Sequence, residues 1–300
     1  MKSAQRNATS SATKIVHWKD GQASLLTDHV AREEPLEIRV RGRSVAVTMR
    51  TPGHDRELAA GFLVTERIIH RGKDLIEIAT CRASQEPDNT LDIFLAPGVV
   101  VDFAALTRHV FASSSCGLCG KASIESVKQH FPAVDSKLVV SAKILARLPD
   151  RMRRAQPTFA QTGGLHAAAV FDAQGKLIVL REDVGRHNAV DKVLGWAFLE
   201  NHFPLDAHIL LVSGRASFEI LQKSLAARIP IICAVSAPSS LAVEFARASG
   251  QSLVGFLRGA TMNVYAGAER IVRSSASRRA VTNPPSAPPE GGTPNRGKSR

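Results

Sequence analysis

The sequence predicts an α/β (or α+β) protein with a three-layer C-terminal domain and a smaller, β-rich N-terminal region. Three short apolar runs, at 176–180, 208–212 and 229–235, have the length and composition of buried strands. Helical patterns separate these runs, and strands that alternate with helices build a sheet with helices on its faces. Hydrophobic residues make up 44% of the 300 residues but aromatics only 5%, so we expect a large, mainly aliphatic core.

The N-terminal region, residues 15–112, is predicted to contain a β-hairpin, a helix and a further strand. Apolar and polar residues alternate over 36–40 and again over 45–49, with a turn-like Arg-Gly-Arg-Ser sequence between them. A Thr-Pro-Gly-His sequence then ends the second strand. Apolar residues at helical spacing predict a helix over 57–69, and alternation predicts the last strand over 90–95.

The C-terminal domain, residues 122–273, is predicted to carry helices between and after its strands. These helices are expected at 188–199, 218–227 and 241–248. The two ends of the chain have compositions that do not favour folding. Residues 1–14 are polar and rich in Ser, Thr and Ala, so we expect a flexible lead. Residues 274–300 are basic and rich in Pro and Gly, so we expect a disordered tail.

The positive charge of the chain is concentrated at these ends. Of the formal net charge of +12, residues 1–14 carry +3 and residues 274–300 carry +4, which leaves a mildly basic globular part. Such a part suits an anionic ligand such as a nucleotide. It lacks the stripe of Arg and Lys interleaved with aromatics that favours nucleic-acid binding. We therefore expect no nucleic-acid partner.

Membrane insertion and secretion are also disfavoured by the sequence. No run reaches the ~18 apolar residues that a spanning helix needs, and the N-terminus has no apolar signal region. We therefore expect a cytoplasmic protein without a membrane partner, in a compartment where structural disulfides are rare. Of the four cysteines, Cys81 and Cys233 lie among apolar residues and are predicted to be buried and inert.

The densest chemical signal is the segment 113–121, Ser-Ser-Ser-Cys-Gly-Leu-Cys-Gly-Lys. Its serines and glycines predict a mobile, solvated catalytic loop that presents Cys116 and Cys119. A helical pattern follows, and both a helix N-terminus and the nearby Lys121 cation lower the pKa of a thiol and favour the nucleophilic thiolate. We predict that the chemistry of the protein runs through these two cysteines.

Four interpretations of the cysteine pair remain open from the residues alone. The pair is a persulfide carrier, a dithiol–disulfide redox pair, half of a zinc site with His166, or incidental. Zinc deaminases place a general acid/base Glu two residues after a zinc-ligating His, and a P-C-x-x-C sequence follows. Here Ala168 occupies the Glu position and the C-x-x-C precedes the His. Deaminase chemistry is therefore disfavoured and no metal is predicted, although a related scaffold is compatible with the pattern.

Polar residues follow each of the three predicted C-terminal strands. Arg186 and His187 follow the first strand, Arg215 lies in a Ser-Gly-Arg-Ala-Ser segment after the second, and the Ser-rich segment 235–240 follows the third. Ligands of α/β sheets bind at the carboxyl ends of strands, and Arg holds a phosphate with two parallel hydrogen bonds. We therefore predict that Arg186, His187 and Arg215 meet at one anionic-ligand site.

Together these segments resemble the FdhD family, the sulfur carriers or accessory sulfurtransferases that are needed to make formate dehydrogenase active. The resemblance spans residues 30–272 and rests on five ordered blocks, at 113–121, 162–168, 181–192, 213–217 and 255–265. It implies a C-terminal region with a fold similar to cytidine deaminases but without catalytic zinc, which agrees with Ala168. It also implies a homodimer.

The resemblance further implies a function, a cargo and partners. Cys116 would receive sulfane sulfur from a cysteine desulfurase as a persulfide, and the role of Cys119 stays open. The sulfur would pass to the molybdenum cofactor, Mo-bis(molybdopterin guanine dinucleotide), bound transiently before it enters the formate dehydrogenase catalytic subunit. An alternative from another class is a scaffold that binds this cofactor and moves no sulfur.

The resemblance also assigns a cofactor-binding segment. The residues that correspond to it are Phe256, Leu257, Arg258, Gly259, Ala260 and Thr261. Many relatives have a Gly-Arg-aromatic sequence where this chain has Ala260-Thr261-Met262. The chain thus lacks an Arg that would be a natural phosphate partner.

Overall fold

The computed structural model of the protein describes residues 8–81, 84–103 and 131–273. The predicted thiol loop at 113–121, with Cys116 and Cys119, lies outside the described residues, and so does the tail from 274. The boundaries predicted at 112 and 122 therefore stay predictions.

The described part of the chain begins with a long β-hairpin that was not predicted from the sequence. Its strands are β1 (Ser10–Lys19) and β2 (Gln22–Ala31). They pair antiparallel over their whole length. Asp20 and Gly21 form the two-residue turn with φ angles of 52° and 79°, which suit the twist of a tight hairpin. The prediction of a flexible lead over 1–14 is thus wrong from Ser10 onward, because this part is held by the hairpin's backbone hydrogen bonds.

A four-stranded sheet with one helix forms the rest of the N-terminal region. Its elements are β3 (Glu34–Val40), β4 (Arg43–Arg50), α1 (Asp55–Thr65), β5 (Leu75–Thr80) and β6 (Thr90–Leu95). The strand order is β4-β3-β6-β5. The predicted hairpin, helix and strand are confirmed, but the helix ends before 69. The chain leaves it through Arg67, whose φ of 62° is not helical.

The C-terminal domain is built on a six-stranded sheet. Its strands are β8 (His166–Phe171), β9 (Leu177–Asp183), β10 (Ile209–Val212), β11 (Ile231–Ala234), β12 (Ser252–Arg258) and β13 (Thr261–Ala266). A small parallel pair joins β7 (Val140–Ser141) to β14 (Ile271–Val272). The helices are α2 (Ala142–Leu145), α3 (Leu148–Arg154), α4 (Pro157–Thr162), α5 (Arg186–Leu199), α6 (Phe218–Ala226) and α7 (Ser240–Ala248). The order of the large sheet is β13-β12-β11-β10-β8-β9.

Helices cover both faces of this sheet, so the predicted three-layer α/β architecture is confirmed. In β8, Ala168 and Val170 belong to a buried cluster with residues of α5, α6 and α7. The alternate residues Ala169 and Phe171 belong to a cluster on the opposite face with residues of α2 and α3. The two clusters are almost wholly aliphatic, as the composition predicted. The more specific likeness to cytidine deaminases stays a prediction.

The two regions are joined by close packing of α1 on α5. A Cβ atom added to Gly61 would overlap the carbonyl oxygen of Asp191, and one added to Gly195 would overlap that of Glu57. The two helix backbones therefore approach each other at glycines. The interface also carries a bidentate pair between Arg181 and Glu57, with Nη2 2.7 Å from Oε1, and Arg181 lowers the pKa of Glu57 against the effect of burial.

We expect Gly195→Ala to lower the free energy of unfolding by about 1–3 kcal/mol, because the added methyl group would overpack a backbone contact. Chemical denaturation followed by circular dichroism measures this change. Gly72→Ala is the matched control, because among the described residues its new methyl group would meet only Asn201 Oδ1, at 3.8 Å. Equal stability of the two variants would contradict the close approach of the helices.

Within the described residues, no helix combines the length and the apolar character needed to cross a membrane.

Candidate functional site

The loops that follow β9, β10 and β11 meet at one edge of the large sheet, as predicted. The strands β10 and β11 are parallel, and β8 runs antiparallel to both β9 and β10. The carboxyl ends of β9, β10 and β11 therefore share an edge. Backbone hydrogen bonds tie the last two loops together, from Ala216 N to Ala237 O at 3.2 Å and from Ser239 N to Ala216 O at 3.0 Å.

A cavity of about 700 Å³ opens at this edge, beside α3 and α4. Its polar lining comes from Asp150, Arg153, Gln156, His166, Ser213 and Arg258. Its apolar lining includes Met152, Phe159, Leu165 and Leu257. Apolar walls with a few polar groups are typical of sites for small organic ligands. The sequence analysis named Leu257, Arg258 and Gly259 as cofactor-binding residues, and all three line this cavity.

The predicted cofactor segment forms the end of β12, a tight turn and the start of β13. Leu257 is fully buried, whereas Phe256, Gly259, Ala260 and Thr261 are exposed. Phe256 has a φ of 50°, and its backbone N–H donates to Ser236 O at 3.1 Å. The left-handed turn at Phe256 thus ties this hairpin to the loop after β11, so that the segment reaches the same sheet edge.

Two guanidinium groups, of Arg186 and Arg215, act on His166, which lies at this edge of the sheet. Burial lowers the pKa of His166, Arg186 and Arg215 lower it further, and Asp183 opposes them. His166 Nδ1 lies 3.3 Å from where a Cβ on Gly214 would stand, so the loop after β10 is close to the ring. Arg186 and Arg215 therefore both lie near enough to His166 to lower its pKa.

His187 differs from the other predicted anion-binding residues because it is almost buried. Its Nε2 lies 3.2 Å from Glu219 Oε2 and 3.4 Å from Ser217 Oγ. Burial, with Lys223 and Arg186 nearby, lowers the pKa of His187 to about 3. At neutral pH its imidazole can give a hydrogen bond but no positive charge, so any contact with an anion would be a neutral one.

Asp183 fixes the loop that carries Arg186 and His187. It is fully buried, and its Oδ2 accepts from Lys192 Nζ at 2.7 Å and from the Thr51 backbone N–H at 3.1 Å. Its Oδ1 accepts from the Gly185 backbone N–H at 2.8 Å. The N-cap residue of α5 is Gly185, which has no side chain to cap the helix. The carboxylate of Asp183 holds the helix start instead.

The two cysteines that the structure describes are buried, as predicted. Neither Cys81 nor Cys233 forms a disulfide. Burial raises the pKa of Cys233 to about 12, so its thiol stays protonated at neutral pH. That both thiols are inert stays a prediction.

The sequence analysis missed the contribution of α3 and α4 to the cavity. Arg153 lies over the Phe159 ring, with 4.0 Å from Cζ to the ring centroid, and both residues line the cavity. The signal for these helices was weak, because each is short and begins with proline at its first or second position. Only the Gly-Gly-Leu-His sequence that follows was noted, and Gly163, Gly164, Leu165 and His166 all line the cavity.

Comparisons with known proteins agree on one family. The FdhD/NarQ family model matches residues 31–272. The sulfur carrier protein FdhD of Streptomyces coelicolor is 51% identical over 270 residues, which cover 88% of this chain and 96% of that protein. The protein of the same name from Mycobacterium tuberculosis is 51% identical over 267 residues, covering 86% and 97% of the two chains.

Similarity extends to an archaeal protein and to a solved structure. The sulfur carrier protein FdhD of Saccharolobus solfataricus is 41% identical over 260 residues, with 86% of this chain and 96% of that protein covered. A crystal structure described as a formate dehydrogenase accessory protein from Desulfotalea psychrophila superposes with a TM-score of 0.71 at 26% identity. The match covers 88% of this chain and 100% of that one. On the family match and these long, close similarities, the chain belongs to the FdhD/NarQ family.

Proposed function

We propose that this protein is a sulfur carrier for formate dehydrogenase. Cys116 takes sulfane sulfur from a cysteine desulfurase and holds it as a persulfide. The protein then passes the sulfur to the molybdenum of Mo-bis(molybdopterin guanine dinucleotide), which is its substrate, before this cofactor enters the dehydrogenase. Relatives that are named sulfur carrier proteins and are about half identical along nearly their whole length support the carrier role.

The observation that carries the cofactor part of the proposal is the cavity at the sheet edge. Its volume of about 700 Å³ falls in the range of small-molecule sites. Arg153 and Arg258 line it, and Arg186 and Arg215 lie by His166 at the same edge. Guanidinium groups bind phosphates with paired hydrogen bonds, so this edge suits the nucleotide ends of the cofactor.

Neither the transfer of sulfane sulfur to Cys116 nor its release requires an external oxidant. The Cys116 thiolate attacks the outer sulfur of a persulfide on the desulfurase, so one S–S bond forms while another breaks and the desulfurase cysteine leaves as a thiolate. For release, attack by the Cys119 thiolate on the Cys116 sulfur would form a disulfide and free the outer sulfur as hydrosulfide. The sulfane sulfur is then reduced as the cysteine pair is oxidised, and a thiol reductant restores the two thiols before the next cycle. The hydrosulfide would replace an oxygen ligand of the molybdenum, which leaves as hydroxide.

The second candidate is a scaffold that binds and delivers the cofactor without moving sulfur. The same cavity would support this scaffold function, because binding of the nucleotide in the cavity does not depend on the thiol of Cys116. The two candidates differ only in the need for Cys116. We favour the carrier because the curated relatives bear the name of sulfur carrier proteins.

A binding measurement with GDP tests the cofactor part of the proposal. We expect GDP to bind the wild-type protein and Arg258→Gln to weaken this binding roughly tenfold, as a charge-assisted hydrogen bond is lost. Arg258 Nε donates to Val235 O at 3.0 Å, and its two terminal nitrogens make no hydrogen bond within the described residues. Isothermal titration calorimetry gives the affinities.

Arg154→Gln is the control for that measurement. Arg154 is an exposed residue of α3, next to the cavity-lining Arg153 but not itself part of the lining. Its replacement should leave the affinity for GDP unchanged. Equal weakening by both variants would mean that only the net charge matters, and this would contradict a phosphate contact by Arg258.

A further inference from the structure

Gln156 is a buried polar residue whose hydrogen bonding the fold leaves incomplete. It is the N-cap residue of α4, but its side chain makes no capping hydrogen bond. The residue is 4% exposed, and its Nε2 has no hydrogen-bond partner among the described residues. Gln156 is also part of the cavity lining. The side-chain amide of Gln156 therefore lies buried at the wall of a ligand cavity with a donor for which the described residues provide no hydrogen-bond acceptor.

A buried amide donor without an acceptor lowers the stability of the protein when no ligand is bound. A buried donor without a partner costs about 1–3 kcal/mol, and the great majority of such groups in folded proteins are satisfied. An apolar side chain of the same length, such as methionine, would fill the space without that penalty. The amide is thus better explained by a ligand that completes its hydrogen bonds than by the stability of the empty protein.

The surroundings of Gln156 indicate what kind of ligand would do so. Met152, Leu165 and Leu257 supply apolar walls, and the Phe159 ring lies under the Arg153 guanidinium. Flat faces and apolar walls suit the planar base of a nucleotide, whereas the guanidinium groups of the same cavity suit its phosphate groups. Asp150 lines the same cavity and brings a carboxylate, which only accepts hydrogen bonds.

We propose that Gln156 determines the base specificity of this cavity by donating a hydrogen bond from Nε2 to the O6 carbonyl of guanine. The inference rests on the proposed function, in which the nucleotide ends of the cofactor bind here. Guanine offers O6 as an acceptor and N2 as a donor, which Gln156 and Asp150 complement. Adenine shares the N7 acceptor but has an amino group in place of O6, so Nε2 would face a donor there, and adenine has no N2 donor for Asp150. The last torsion of glutamine is soft, so Nε2 can turn to a base without moving the backbone.

The test measures GDP and ADP affinity, and the melting temperature without ligand, for three variants. Gln156→Met keeps the length of the side chain and removes the donor, and Gln156→Glu keeps its shape and replaces the amide donor by a carboxyl oxygen. We expect each to bind GDP about tenfold more weakly and to lose most of the preference for GDP over ADP. Gln161→Met is the control, because Gln161 is an exposed residue of the same helix that accepts from Ser10 Oγ at 2.8 Å.

The melting temperature separates a specificity role from a structural one. If Gln156 serves the ligand, Gln156→Met without ligand should melt at the wild-type temperature or above it. The inference would be overturned if Gln156→Met without ligand melted at a lower temperature than the wild type, or if both Gln156 variants bound GDP as tightly as the wild type. Either result would leave the proposed function standing. If the wild-type protein binds no GDP, the cofactor part of the proposed function fails and the inference fails with it.

Discussion

Replacing Cys116 by alanine should abolish the activation of formate dehydrogenase, by at least a hundredfold and down to the background of an assay without the protein. The physical reason is that the proposed persulfide forms on Cys116, and neither of the two thiols that the structure describes can take its place. Cys81 and Cys233 are buried, and the pKa of Cys233 is raised to about 12. The measurement is dehydrogenase activity after incubation of the apoenzyme with cofactor, a cysteine desulfurase, cysteine and this protein.

Two controls show whether the loss of activation by Cys116→Ala is due to the missing thiol. Cys81→Ala removes a thiol that is 7% exposed in the N-terminal region, and it should leave activation unchanged. Binding of GDP by Cys116→Ala should equal that of the wild type, because the cavity at the sheet edge lies in the described part of the chain and holds no cysteine. Activation by Cys116→Ala at the wild-type level would instead favour the scaffold that delivers cofactor without sulfur.

The second large effect concerns a buried ion pair between α5 and α6. We expect Lys223→Met to lower the free energy of unfolding by about 3–5 kcal/mol, because it leaves the Asp191 carboxylate buried without its cation. Lys223 Nζ lies 2.9 Å from Asp191 Oδ1 and 2.8 Å from Oδ2, and it donates to Thr65 Oγ1 at 3.0 Å. Burial acts to lower the pKa of Lys223, but the carboxylates of Asp191 and Glu219 outweigh it and raise that pKa.

A double variant distinguishes the loss of the pair from a packing defect. Lys223→Met with Asp191→Leu removes both charges, and we expect it to regain most of the lost stability, because a buried ion pair is often replaceable by apolar residues. Lys176→Met, at an exposed position, controls for the removal of one lysine. Urea denaturation measures all four proteins. A double variant as unstable as Lys223→Met would show that an unpaired Asp191 is not the cause.

The sequence predicted the sheet architecture well because its strands are continuous apolar runs. The runs at 176–180, 208–212 and 229–235 correspond to β9, β10 and β11, and their ends shift by three residues at most. Burial on both faces of the sheet makes such runs distinctive. The strand order, in contrast, depends on contacts between distant residues, such as the antiparallel pairing of β8 with both β9 and β10. Local patterns carry no information about those contacts.

The hairpin β1–β2 was not predicted, although its sequence carries a local signal for it. Asp20-Gly21 is a favoured two-residue turn sequence, and it stands between two stretches with β-branched and aromatic residues. The polar composition of residues 1–14 concealed it, because the strands are exposed on both sides. Contacts with the C-terminal domain anchor the hairpin, for example between the hydroxyls of Thr9 and Thr158 at 2.9 Å.

The candidate site was predicted in part. Arg186, His187 and Arg215 were found because charged residues after buried strands stand out in the sequence. That His187 is neutral could not be foreseen, since the lowering of its pKa comes from burial and from Lys223 on another helix. Gln156 was missed for a similar reason. A glutamine is ordinary in a sequence, and only its burial without a partner at the cavity wall makes it notable.

Mass spectrometry of the protein after incubation with a cysteine desulfurase and cysteine shows whether Cys116 carries sulfur. We expect the added mass of one sulfur atom on the peptide that contains Cys116, removed by a reductant such as dithiothreitol. The added mass should be absent when the desulfurase is omitted. An added sulfur on the Cys81 or Cys233 peptide alone, or no added sulfur on any peptide, would contradict this role of Cys116.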